Sequence, residues 1–199
     1  MAAGPGEPMK RSHFGARVAG GLLLAFAMLA LASGAAAAGL VDEVKLGLLA
    51  HDVGVLGDPI EHGADVVGEI LFASPDFLSI IGSPRPTIGG SVNTAGKTNY
   101  AYADLTWTAT LWRPDLQEGD GIYLGGFLGG AVHDGRLQPV NPGSKDLGTR
   151  GLFHLGVEAG YQITSTYSVE GYFSHLSNAN ISRHNPGLNN AGLRLGYKF

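Results

Sequence analysis

From about residue 41 to the C-terminus, apolar and polar positions alternate with a period of two, in stretches separated by turn residues. The last stretch is the clearest. Ala191, Leu193, Leu195, Tyr197 and Phe199 make one face, and Asn190, Gly192, Arg194, Gly196 and Lys198 make the other. Earlier, Phe153, Leu155, Val157, Ala159 and Tyr161 oppose His154, Gly156, Glu158 and Gly160. The pattern predicts eight strands, over 41–51, 63–72, 86–93, 100–112, 121–133, 151–162, 167–177 and 190–199. Segments near ten residues with one apolar face have the length of a tilted membrane strand. The expected fold is all-β, an eight-stranded antiparallel transmembrane β-barrel over 39–199.

The ending sharpens this reading. A chain that stops on Phe199, with apolar residues at alternate positions before it, resembles the C-terminal signal of bacterial outer-membrane barrels. The start agrees. Lys10, Arg11 and Arg17 precede an apolar run from Val18 to Leu31, followed by "ASGAAAAG". That run is too short to span a bilayer and reads as a cleaved signal peptide, 1–38. An even strand count puts both termini in the periplasm, so the loops after the first, third, fifth and seventh strands face outward. The periplasmic "SPDFLSIIGSPR" is long enough for a short helical turn. Eight strands leave an interior filled by side chains. Glu158, Glu170, Arg194 and Lys198 are expected to pair inside it, since buried charges need partners. Trp107, Trp112 and Tyr100 bracket the fourth strand as interfacial girdle residues.

Composition removes several alternatives. There is no cysteine, so thiol chemistry and disulfides are excluded. Beyond residue 38 the chain keeps 10 of its 13 basic and 16 of its 17 acidic residues, a net charge of −6. An acidic exported chain is a poor nucleic-acid binder. His51, His62, His133, His154 and His184 show no metal-ligand spacing. "GGFLGG" lacks the Lys-Ser/Thr of a phosphate loop.

Candidate chemistry sits at the end of the seventh strand. Parity groups His175 and Ser177 with Phe173 on the lipid-facing side, near the outer-leaflet headgroups. Residues i and i+2 on a strand are about 7 Å apart at their bases, so an imidazole can lean toward a hydroxyl. Such a pair can take a serine proton and attack an ester. As a bare H-x-S it can equally be a pair of interfacial polar residues.

The longer string "SHLSNANISRHNPGLNNAGLRLGYKF" resembles the C-terminal signature of the lipid A 3-O-deacylases, the PagL-like family of outer-membrane barrels. "LGLLAHDVG" and "EILFASP" are similar to family segments as well. The resemblance implies a serine-dependent ester hydrolase of the bacterial outer membrane. It would remove the ester-linked 3-O-acyl chain from lipid A, with lipopolysaccharide in the outer leaflet as its partner. It implies no metal or cofactor, and leaves room for a homodimer. Ser177 would be the nucleophile and His175 the general base. Asn178 would form or support the oxyanion site, and Asn185 would brace the loop, with Pro186 and Gly187 setting its turn. The family's acid, twelve positions after the serine, is Asn189 here. Its parity matches that role, but an amide carries no charge and can select the wrong tautomer. Asp52, at the outward end of the first strand, is the candidate substitute acid. The alternative reading is a weakly active or inactive barrel with a structural or surface-interaction role.

Overall fold

A computed structural model describes residues 39–138 and 142–199. The expected signal peptide, 1–38, lies outside them. Eight strands follow in order: β1 Val41–Ala50, β2 Ala64–Phe72, β3 Arg85–Asn93, β4 Tyr100–Trp112, β5 Gly121–His133, β6 Gly151–Gln162, β7 Tyr167–Ser177 and β8 Leu188–Lys198. Each pairs antiparallel with the next, and β8 returns to β1, so the sheet closes without an edge. The strands come from alternation alone. Along β7, for example, every second residue from Ser168 to Leu176 is buried, and the residues between are not. The turn expected between β2 and β3 is a short 3-10 helix, Asp76–Ile81, closed by Gly82 in the left-handed conformation.

The lumen holds the expected ion-pair network, with different membership. Arg194 reaches Glu158 at 2.6 Å, Glu170 at 2.5 Å and Glu69 at 3.0 Å, and its guanidinium lies 3.9 Å above the Tyr172 ring. Lys45 bridges Glu158 and Glu170, each at 2.9 Å. Lys198 takes no part. It stands at the periplasmic end of β8, paired with Glu43 of β1 and near Arg85. Tyr100 also departs from expectation. It faces inward with Tyr102 and Asp104, is buried, and its hydroxyl accepts a bond from Asn190 Nδ2 at 2.9 Å. Its register, not its aromaticity, decides its side. The periplasmic aromatic edge holds the exposed Trp112 together with Tyr167, Tyr197 and Phe199, the last three packed edge to face.

The extracellular loops close over the lumen through buried polar contacts. The first spans 51–63, the second 94–99, the third 134–150 and the fourth 178–187. Glu61 of the first loop accepts from Thr98 N–H in the second and from Lys145 N–H in the third. Asp65 accepts from His51, Ser91, Asn93 and Asn190.

Candidate active site

Antiparallel pairing puts His175 of β7 directly opposite Asn189 of β8. Both point away from the lumen, as does Ser177, two residues further along. His175 Nδ1 and Asn189 Oδ1 are 2.6 Å apart. The other end of that amide is fixed independently. Asn189 Nδ2 donates to the Leu56 carbonyl of the first loop at 3.2 Å. A carbonyl only accepts, so the NH2 group must face Leu56 and Oδ1 must face the ring. In this arrangement His175 Nδ1–H donates to Asn189 Oδ1. The amide orientation is thus set by a backbone atom of another loop. The main chain is clamped as well, because Val53 N–H donates to the Asn189 carbonyl at 2.7 Å.

Gly187 covers the other side of the imidazole. It sits at φ +65°, and a Cβ added there would lie 2.7 Å from His175 Cε1. Its carbonyl accepts from Lys145 Nζ at 2.7 Å, and Lys145 in turn pairs with Asp52. Asp52 Oδ2 also accepts the N–H groups of Ile60 and Glu61. Asp52 is thus fully engaged, and its place is in the chain of contacts from first to third to fourth loop. The geometry does not support it as a substitute acid.

After Ser177 the strand leaves through a type I′ turn. Ala179 and Asn180 have φ +51° and +64°, and Ile181 N–H donates to the Asn178 carbonyl. A left-handed alanine costs about 1 kcal/mol, held here by the bonds around it. Asn178 supplies most of them. Its Nδ2 donates to the carbonyls of Leu147 and His184, and its N–H donates to Asn185 Oδ1 at 2.8 Å. Asn178 and Asn185 therefore brace the turn, and the donors of Asn178 are not free to hold an oxyanion. Ser177 makes no side-chain hydrogen bond among the described residues. Its hydroxyl is free to rotate toward His175, and apo sites often tighten only on binding. Among the described residues no cluster of three His, Asp or Glu could hold a metal.

Alternation along β7 predicted that His175 and Ser177 share the outward face, and pairing with β8 sets Asn189 opposite His175. Leu56 and Lys145 were out of reach. One acts through its backbone carbonyl, and the other lies in the third loop, with no local signal connecting it to Asp52 or Gly187.

The closed eight-stranded barrel, with lipid-facing polar groups at its outer rim, defines an outer-membrane barrel protein. The family model described as lipid A 3-O-deacylase (PagL) matches residues 83–198, and the chain belongs to that family. It is similar to the crystal structure of the outer membrane enzyme PagL, with a TM-score of 0.57 and 16% identity over 77% of this chain and 97% of that one. At that identity the likeness shows the fold. The structure of Neisserial surface protein A aligns with a TM-score of 0.49 and 11% identity, over 81% of this chain and 97% of that one. The N-terminal barrel domain of Pseudomonas aeruginosa OprF aligns with a TM-score of 0.46 and 12% identity, over 79% and 98%. No curated protein matches the sequence.

Proposed function

We propose that this protein is an outer-membrane esterase that hydrolyses the 3-O-acyl ester of lipid A. The observation that carries the reading is the Asn189–His175 pair beside Ser177 on the lipid-facing wall, in a member of this family. With Nδ1–H directed to Asn189, His175 Nε2 is the base. It takes the Ser177 proton while Oγ bonds to the ester carbonyl carbon. The C–O bond to the sugar then breaks, and the imidazolium proton passes to the leaving sugar oxygen. Water repeats the sequence, releasing the fatty acid and restoring Ser177. Water is the sole co-reactant. The site's position suits a substrate that already stands in the outer leaflet. Residues 1–38 are read as the export segment for that location.

Lipid A from a host without other lipid A modifying enzymes tests this by mass spectrometry. Expression of the chain is expected to produce a species lighter by one 3-hydroxyacyl group. Ser177→Ala and His175→Ala are each expected to abolish it while the barrel keeps its heat-modifiable mobility on gels. Unchanged lipid A with the wild-type chain would reject catalysis and favour a non-catalytic barrel, the reading that the neutral Asn189 supports.

A further inference from the structure

Four strands place one outward-facing row at the height of the candidate nucleophile. Ser177 pairs with Phe153, Phe153 with Gly130, and Gly130 with Ala103. The row two residues deeper carries large side chains throughout: His175, Leu155, Leu128 and Leu105. From the deeper row to the upper one, side-chain volume rises at Phe153 and falls sharply at Gly130 and Ala103. The result is a groove of about 570 Å³ cut across β4, β5 and β6, lined mainly by apolar atoms. Ile181, from the turn that follows Ser177, reaches over it from the fourth loop. Phe153 is its end wall and pairs with Ser177, so the groove begins one strand away from the candidate nucleophile.

Resting on the esterase reading, we propose that this groove is the subsite for the acyl chain being cleaved, and that Gly130 and Ala103 set the chain length accepted. The chemistry of the ester selects the occupant. The carbonyl attacked by Ser177 carries a linear hydrocarbon on one side and a sugar oxygen on the other. The sugar belongs with the polar loops, so the hydrocarbon must leave along the wall. A groove at that level gives the chain contact on two sides, where a flat wall gives it on one. Ala103, Gly129 and Gly130 line it on β4 and β5, and Val132 is its outer lip.

Gly130 is well suited to a test. An added Cβ would meet nothing closer than the Leu152 carbonyl at 3.7 Å, so a side chain enters the groove without moving the sheet. Rates are compared for a tetradecanoyl and a butyryl ester of the same alcohol. Gly130→Leu is expected to lower the long-over-short rate ratio about tenfold, and Gly130→Ala to lower it less. Val157→Phe, on the same wall outside the groove, is expected to leave the ratio at its wild-type value. An unchanged ratio in Gly130→Leu, in a protein that still shows heat modifiability, overturns the subsite. If wild type cleaves neither ester, the esterase reading fails by itself, and binding decides the groove. A diazirine-bearing tetradecanoyl ester is then photocrosslinked to Ser177→Ala protein and mapped by peptide mass spectrometry. Label concentrated on the β4–β5 rim around Ala103 and Gly130 supports the groove. Label spread evenly around the barrel wall overturns it.

Discussion

Asn189 Oδ1 lies 2.6 Å from His175 Nδ1, and a pH profile asks whether it acts on the imidazole. In serine proteases an amide in place of the triad acid costs about 10⁴ in rate, because it favours the wrong imidazole tautomer. Here the Leu56 carbonyl turns the amide so that oxygen faces the ring. That orientation favours a proton on Nδ1, while an amide supplies no stabilising charge. Asn189→Leu removes the acceptor and is expected to lower kcat by about 10²-fold or more with little change in KM. Asn189→Asp puts a carboxylate against the ring. An adjacent negative charge favours the imidazolium, so the pH of half-maximal kcat/KM is expected to rise. A profile identical to wild type in Asn189→Asp would show that residue 189 does not act on the imidazole.

At the scale of elements, the extracellular loops hold the site through buried charge. Both ring nitrogens of His51 face carboxylates, Asp65 at Nδ1 and Glu61 at Nε2, each at 2.9 Å. Carboxylates only accept, so the ring carries both protons. Burial pulls the His51 pKa down, but the bonds to Asp65 and Glu61 outweigh it and push the value up to about 9. For Glu61, burial raises the pKa, and the bonds from His51 and from the N–H groups of Lys145 and Thr98 bring it down to about 2. The raised histidine stabilises the loops fully below its ordinary value near 6.5, and that contribution is lost as pH rises through about 9. The lowered glutamate contributes fully above about 4.5, and that is lost as pH falls through about 2. Proteolysis within 51–63 is therefore expected to accelerate between pH 6.5 and 9, and His51→Gln is expected to remove that dependence. Wild-type cleavage that stays flat across this interval would contradict the account.

The elements themselves were legible because a period of two needs only neighbours in sequence. Strand limits from alternation agree with β1 to β8 to within two residues, and parity put His175, Ser177 and Asn189 on one side. What the sequence could not supply is contact between loops. Lys145 meets Asp52 across 93 positions, and nothing local marks either. Lys198 and Tyr100 show a different limit. Residue type suggested a luminal partner for one and a membrane interface for the other. The end of the strand moved the first, and parity with Tyr102 and Asp104 turned the second inward.

Over the whole molecule, rigidity is built into the lumen and the proposed chemistry lies on the outside. Arg194, Lys45 and their three glutamates tie β1, β2, β6, β7 and β8 together below the site. Removing one partner from such a buried group typically costs about 3–5 kcal/mol, so the wall that carries His175 and Asn189 is held firmly. Its outer surface meets the substrate's own leaflet, and the lumen needs no opening. This division rests on Ser177 being an activated nucleophile at the lipid boundary. Reaction with an alkylsulfonyl fluoride, mapped by peptide mass spectrometry, asks that question directly. The account expects one adduct, on Ser177, lost in His175→Ala and strongly slowed in Asn189→Leu. An unmodified Ser177 in protein that still deacylates lipid A, or an adduct that forms equally well without His175, would contradict it.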